Sequence, residues 1–245
     1  IGRIQQWVTE GAVEGRSSDL PPTPAWTEGW LLGKPDLIVT MPQPYALLAE
    51  GRDVYRNFVL PVGLEETRFI RTVEFHPGNP RVVHHAVLQI DRTVSSRLLD
   101  KQDAEPGFGS GMSMGKAQLP NGQFLGWTPG KLPHAGVEGM AWLLEPGTDL
   151  VLQLHLRPTG KPEVIQPSVG LYFSDSPPSL FPYGLVLRSK MIDIPAGEKR
   201  FVVTNACELP VDVEALSIYP HAHYLGKEMK VSARRPDGTQ SDLLR

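Results

Sequence analysis

Cysteine is almost absent from this chain: among 245 residues there is one, Cys207. A single thiol excludes an internal disulfide and every cysteine-built zinc or iron–sulfur site. Long apolar runs are missing as well, and none approaches the roughly 20 residues that a bilayer span needs. Neither sign of charge dominates, with 24 Lys+Arg against 27 Asp+Glu and a formal net charge of −3. No basic block occurs, which argues against a nucleic-acid partner. The chain opens on Ile1, so no secretion signal can be read from it.

What the chain does have is a β-rich composition. Hydrophobic residues make up 40%, enough for a sizeable core. Gly and Pro number 24 each, and proline is near twice its usual ~5%. That balance favours many short strands joined by turns. Ten runs rich in β-branched and aromatic residues fit strands: 36–41, 55–62, 67–77, 82–90, 149–158, 168–175, 183–195, 199–210, 211–226 and 228–238. Two stretches interrupt them. Residues 97–118 are polar and Gly-rich and read as a mobile loop, and SDSPPSLFPYG at 174–184 reads as a junction.

Ahead of the strands, Ile1, Ile4, Trp7 and Val8 recur at helical spacing, with Gly11 or Gly15 as a stop. Residues 16–35 read as a Pro/Ser/Gly linker. The expected fold is therefore all-β, with two antiparallel, jelly-roll-like β-sandwich domains after a short N-terminal helix. Its parts are the helix and linker at 1–35, a first sandwich at 36–175 and a truncated second sandwich at 176–245. A half-sandwich leaves unpaired edges and apolar surface, which implies further chain or a covering partner.

Five of the seven histidines fall into three tight clusters, each inside a strand-like run: His84 and His85 in RVVHHAVLQI, His155 in DLVLQLHLRPTG, and His221 and His223 in LSIYPHAHYLG. On a strand, residues i and i+2 share a face, so His221 and His223 can reach one ion. His84 and His85 point to opposite faces of a regular strand and meet at one ion only through a twist or bulge, or by using different ring nitrogens. Taken alone, that pair reads as one buried and one exposed histidine, and His155 as a hydrogen-bonded core histidine. Three such clusters together favour metal, and imidazoles without thiolates suit copper or zinc. Gln153 shares the strand face of His155, either supporting the ligands or as a polar edge residue. His76 and His134, beside prolines, read as surface residues, with His134 a distant candidate for lining a site.

The order of VVHHAVLQI, GWTPGKLP, LVLQLHLRPTG, IDIPAGEKRFVVTNAC and YPHAHYLGKEMKVSARRPDG resembles the copper type II, ascorbate-dependent monooxygenases, the family of peptidylglycine α-hydroxylating monooxygenase and dopamine β-hydroxylase. The likeness spans roughly residues 36–245, and HAHYLGK is its most specific piece. It implies two copper ions. His84, His85 and His155 would hold the electron-donating one, and the catalytic pair His221 and His223 the one that activates O2. The implied reaction hydroxylates a C–H bond of an unidentified small-molecule or peptide substrate, with electrons from ascorbate or a haem.

Two features depart from the family. Its second copper also takes a methionine far beyond the HxH pair, and no methionine of this chain stands there. The animal members are rich in disulfides, whereas this chain has one cysteine. A bacterial, periplasmic or extracellular relative fits, with a c-type cytochrome domain ahead of Ile1, an electron-donating partner whose last helix would be residues 1–15. The rival readings are a non-catalytic copper-binding or electron-transfer module and a sandwich that serves interaction alone. A zinc hydrolase lacks an Asp or Glu placed as general base beside the HxH pair.

Overall fold

The computed structural model describes residues 2–22, 29–109, 115–120, 125–189, 192–222 and 225–244, and in it the strand runs of the first half pair into antiparallel sheets. The elements are helix α1 (Gly2–Thr9), strands β1 (Leu37–Thr40), β2 (Tyr45–Leu47), β3 (Val54–Pro61), β4 (Arg68–His76) and β5 (Val83–Asp91), helix α2 (Ser95–Gln102), then β6 (Leu125–Trp127), β7 (Trp142–Leu144), β8 (Asp149–Leu156), β9 (Glu163–Ile165), β10 (Ser168–Ser174), β11 (Val231–Arg234) and β12 (Gln240–Leu244). The protein is all-β with a short N-terminal helix. Among the described residues no helix is long and apolar enough to cross a membrane.

The chain divides into two units, 1–184 and 185–245. The first contains two four-stranded sheets, ordered β1-β10-β4-β7 and β3-β8-β5-β6, and the small pair β2-β9. Alternation builds the core between the sheets. On β8, Leu150, Leu152, Leu154 and Leu156 point inward at no more than 1% exposure, and they join Ala86, Leu88 and Ile90 of β5 and Ile70, Trp142, Val169 and Leu171 of the facing sheet. The boundary falls at Gly184 rather than at residue 175, because 176–184 is tied to the first unit. Gly139 O accepts the backbone N–H groups of Ser179 and Leu180, both at 2.9 Å.

The other residues of β8, Asp149, Val151, Gln153 and His155, lie on the outer face of its sheet, yet all are buried. Part of their cover comes from the segment expected to be a mobile loop. Its described residues include most of α2 and the buried Phe108, which packs on Val59 and Val151 with Leu99 and Ala117. Phe108 also exchanges backbone hydrogen bonds with Asn57 at 2.8 and 2.9 Å. Gly107, at φ +76°, lets the chain come this close, since a Cβ there would lie 2.4 Å from Asn57 O. Arg56 fastens the segment through Asp103 Oδ1 at 2.6 Å and Pro106 O at 2.7 Å. Polarity and glycine obscured one aromatic anchor and one guanidinium clamp.

The expected linker 16–35 is likewise held at its end. Glu74, on β4, is 3% exposed and accepts the backbone N–H of Leu31 at 2.8 Å and of Leu32 at 3.0 Å. Trp30 stacks on His76 with ring centroids 3.8 Å apart, so His76 is a docking surface for this segment rather than a free surface residue. Helix α1 stops at Thr9 and the chain turns through Gly11 at φ +91°.

In the second unit, β11 and β12 form a hairpin. The described residues of the runs 183–195, 199–210 and 211–226 carry no strand pairing. An extended run becomes a strand only against a partner edge, and these find none, so apolar side chains such as Val186, Val202 and Tyr219 are at least 75% exposed.

Asp91, at the end of β5, closes this part of the fold. It is fully buried and accepts from the backbone N–H of Thr93 at 2.7 Å and of Ser96 at 2.8 Å, at the start of α2. Burial pushes its carboxyl up, but the hydrogen bonds of Ser96 and Thr93 outweigh this and hold it down at about 2. Because the folded value lies below the ordinary 3.8, the carboxylate stabilises the fold above about pH 4, and this contribution is lost as pH falls through about 2. Asp91→Asn should cost on the order of 2 kcal/mol at pH 7 and almost nothing near pH 2. Urea unfolding at both pH values checks this, and an equal loss at both would contradict it.

Candidate metal centre

Three histidines of the first unit meet on the outer face of the β3-β8-β5-β6 sheet. Antiparallel register places Tyr55 of β3 opposite His155 of β8, and His155 opposite His85 of β5. Residues directly opposite in an antiparallel ladder point to the same face. Tyr55, His155 and His85 therefore form a row across three strands. The row lies on the face away from the leucines of β8.

His84 joins this row because β5 carries a bulge. Val83 pairs with Leu156 and His85 with His155, so two steps along β5 match one step along β8 and His84 is the extra residue. This resolves the geometric problem that adjacent strand residues face opposite ways. Val83 turns into the core at 1% exposure, while His84 and His85 both reach His155.

The ring nitrogens converge. His84 Nδ1 lies 3.5 Å from His85 Nδ1, and His155 Nδ1 lies 3.2 Å from His85 Nδ1. One nitrogen from each of the three rings can be chosen so that all lie within 4.8 Å of one another. Imidazole nitrogens bind zinc at about 2.0–2.1 Å, so the edges of a tetrahedral sphere measure about 3.3 Å. The two Nδ1 separations match such edges. The three side chains grade outward, with His155 6% exposed, His85 half-buried and His84 exposed.

The surroundings prepare these rings to ligate. Asp53, just ahead of β3, accepts from His155 Nε2 at 2.7 Å. A carboxylate only accepts, so the proton of neutral His155 sits on Nε2 and the Nδ1 lone pair faces the cluster. This is the outer-sphere carboxylate that ligating histidines commonly have. Tyr55 stacks on His155 with centroids 4.2 Å apart and planes 15° from parallel, which fixes the ring's orientation. Burial, and then the neighbouring His155 and His84, lower the pKa of His85 and favour its neutral, ligating form. The donor set is three imidazoles without thiolate, suited to copper, zinc, iron or nickel. With its exposed side at His84, the cluster resembles an open site more than a closed structural one.

The other expected residues fall elsewhere. Gln153 is 4% exposed and donates to Asn57 Oδ1 at 3.1 Å, in a buried amide pair on the same outer face. His134 is exposed and its Nδ1 accepts the backbone N–H of Gly136 at 3.0 Å. His221, in the second unit, is exposed, and His223 lies outside the described residues, so the geometry of the HxH pair is not described.

Sequence reasoning missed Asp53 and Tyr55. Their i, i+2 spacing puts them on one face, but only the β3-β8 register reveals which histidine they serve. Comparison with protein-family models, curated proteins and solved structures finds no match to this chain.

Removing the supporting carboxylate should be felt at the metal. Asp53→Asn is expected to weaken binding of a divalent ion by about 10- to 100-fold with unchanged circular dichroism, and His155→Ala should abolish tight binding. Titration against a competing chelator measures both, and wild-type affinity in either variant would count against the cluster as a metal centre.

Proposed function

We propose that this chain is a copper-dependent monooxygenase of the kind its sequence resembles, in which His84, His85 and His155 hold the electron-donating copper. The observation that carries this reading is the convergence of these three imidazoles from two strands. They are the residues to which the resemblance assigns that ion. The donor chemistry and the spacing of the nitrogens fit it. His221 and His223 would hold the second copper, where O2 is met.

Copper, when bound, supplies one-electron exchange between Cu(I) and Cu(II). The chain's own residues supply the setting. His85 and His155 offer neutral nitrogens from rigid, paired strands, and Asp53 retains the proton on the far side of His155. Tyr55 holds that ring in plane, and the exposed His84 leaves an approach for an electron donor. The overall reaction takes up O2, two electrons and two protons, inserts one oxygen atom into a C–H bond and releases the other as water. Ascorbate or a haem partner would provide the electrons.

Copper reconstitution of the natural protein, followed by oxygen uptake under ascorbate with product analysis, tests this. Two copper equivalents per chain are expected, falling to one in His155→Ala. The loaded protein should consume O2 with formation of a hydroxylated product. Failure to bind copper would overturn the reading. Copper that cycles with ascorbate without hydroxylating any candidate substrate would leave an electron-transfer module.

A further inference from the structure

Next to the histidine cluster is a cleft of about 300 Å³ whose lining includes His84, Arg81 and Arg157. The strand ends explain the placement. Beyond the pair Val83 and Leu156 the ladder continues with Arg157 N–H donating to Val82 O at 2.9 Å. The chain leaving β8 and the chain entering β5 thus run side by side, and each brings an arginine. Pro129 and Pro158 contribute fixed-φ walls. No carboxylate is among the described residues lining the cleft. Arg157 Nε is 3.9 Å from Asp53 Oδ2, a distant pairing, and its side chain is 60% exposed. Glu163 feels the charge of Arg81, but its oxygens are engaged by Asn79 at 2.8 Å and Lys161 at 3.4 Å.

Two arginines, apolar residues and a histidine line a small cationic pocket. Its volume is at the lower end of small-molecule sites. Guanidinium groups match planar oxyanions through paired N–H donors. We propose that this cleft binds a small organic anion, a carboxylate or enediolate, between Arg81 and Arg157, and presents it to the exposed His84 of the cluster. The binding stands on the cleft alone; its use at a metal rests on the reading given under Proposed function. An anion here would offset the positive field that a bound cation adds to the two arginines.

The test uses the full chain, metal-free and copper-loaded, with malonate as a redox-inert carboxylate and ascorbate as a redox-active anion. Calorimetric titration of the metal-free protein should show one saturable site for malonate that weakens as salt rises. Arg81→Ala and Arg157→Ala should each weaken it about 10-fold or more, with circular dichroism unchanged and partial recovery in Arg157→Lys. In the copper-loaded protein, malonate should perturb the copper paramagnetic resonance spectrum, since it sits against a ligand.

Ascorbate that competes with malonate, and whose half-saturating concentration for copper reduction rises in Arg157→Ala while reduction by uncharged hydroquinone is unchanged, identifies the anion as the electron donor. Malonate binding without competition from ascorbate also supports the anion site and makes its ligand a carboxylate. Absence of saturable binding of either probe, or equal binding by the alanine variants, overturns the inference. A protein that binds malonate through these arginines but takes up no copper would overturn the copper reading and leave the anion site standing.

Discussion

One extra residue in β5 governs the geometry of the site. Side chains alternate along a strand, so a regular ladder would send His84 and His85 to opposite faces. The bulge between Val83 and His85 breaks the alternation once. On one side of it Val83 is packed in the core, and on the other Ala86, Leu88 and Ile90 are packed there too. Burying a valine contributes roughly 1.5–3 kcal/mol, and slipping the register by one residue would turn the whole inward set of β5 outward. The interior leucines and valines therefore fix where the extra residue falls, and so bring both histidines to His155. The metal-binding geometry is held from behind, by hydrophobic packing.

The polar side of the same sheet is divided between two jobs. At one end, α2 and Phe108 cover Val59 and Val151, and Arg56 and Asp91 tie that cover down through hydrogen bonds to the 93–107 segment. At the other end, the row Tyr55, His155 and His85 grades outward to the exposed His84. Three imidazoles, with His85 Nδ1 lying 3.2 Å from His155 Nδ1 and 3.5 Å from His84 Nδ1, repel one another when protonated. Asp53 sets which nitrogen of His155 faces the cluster, by accepting from Nε2, and burial favours the neutral form of His85. A cation at the converging lone pairs would turn that electrostatic cost into a gain.

Much of the first unit was legible in the sequence because its long strands carry repeating signals. DLVLQLHL alternates over eight residues, and β3, β4, β5 and β10 read out nearly as well. Strands of three residues, such as β2, β7 and β9, are too short to show a period, and only their partners define them. The cover over Val151 was missed because glycine and polar residues dominate its composition, while its anchoring rests on a few side chains, Phe108, Arg56 and Asp91 among them. The runs between 183 and 226 show the opposite error. Their β-branched residues give them strand character, but a strand also needs a paired edge, which composition does not encode. At the site, the histidines were readable and the bulge was not. Val82 and Val83 are both apolar and both buried, so the letters VVHH fit either phase.

The position of the cluster at the ends of its strands gives the site an access that a mid-sheet position would lack. In mid-sheet the outer face is occupied by the buried Asn57 and Gln153 pair under Phe108. At the strand ends, beside the last backbone bond from Arg157 N–H to Val82 O, a cleft lined by prolines lies against His84. Asp53 stands at this junction, its Oδ2 bonded to His155 Nε2 at 2.7 Å and lying 3.9 Å from Arg157 Nε. One carboxylate oxygen thus orients a ring of the cluster and attracts a guanidinium of the cleft.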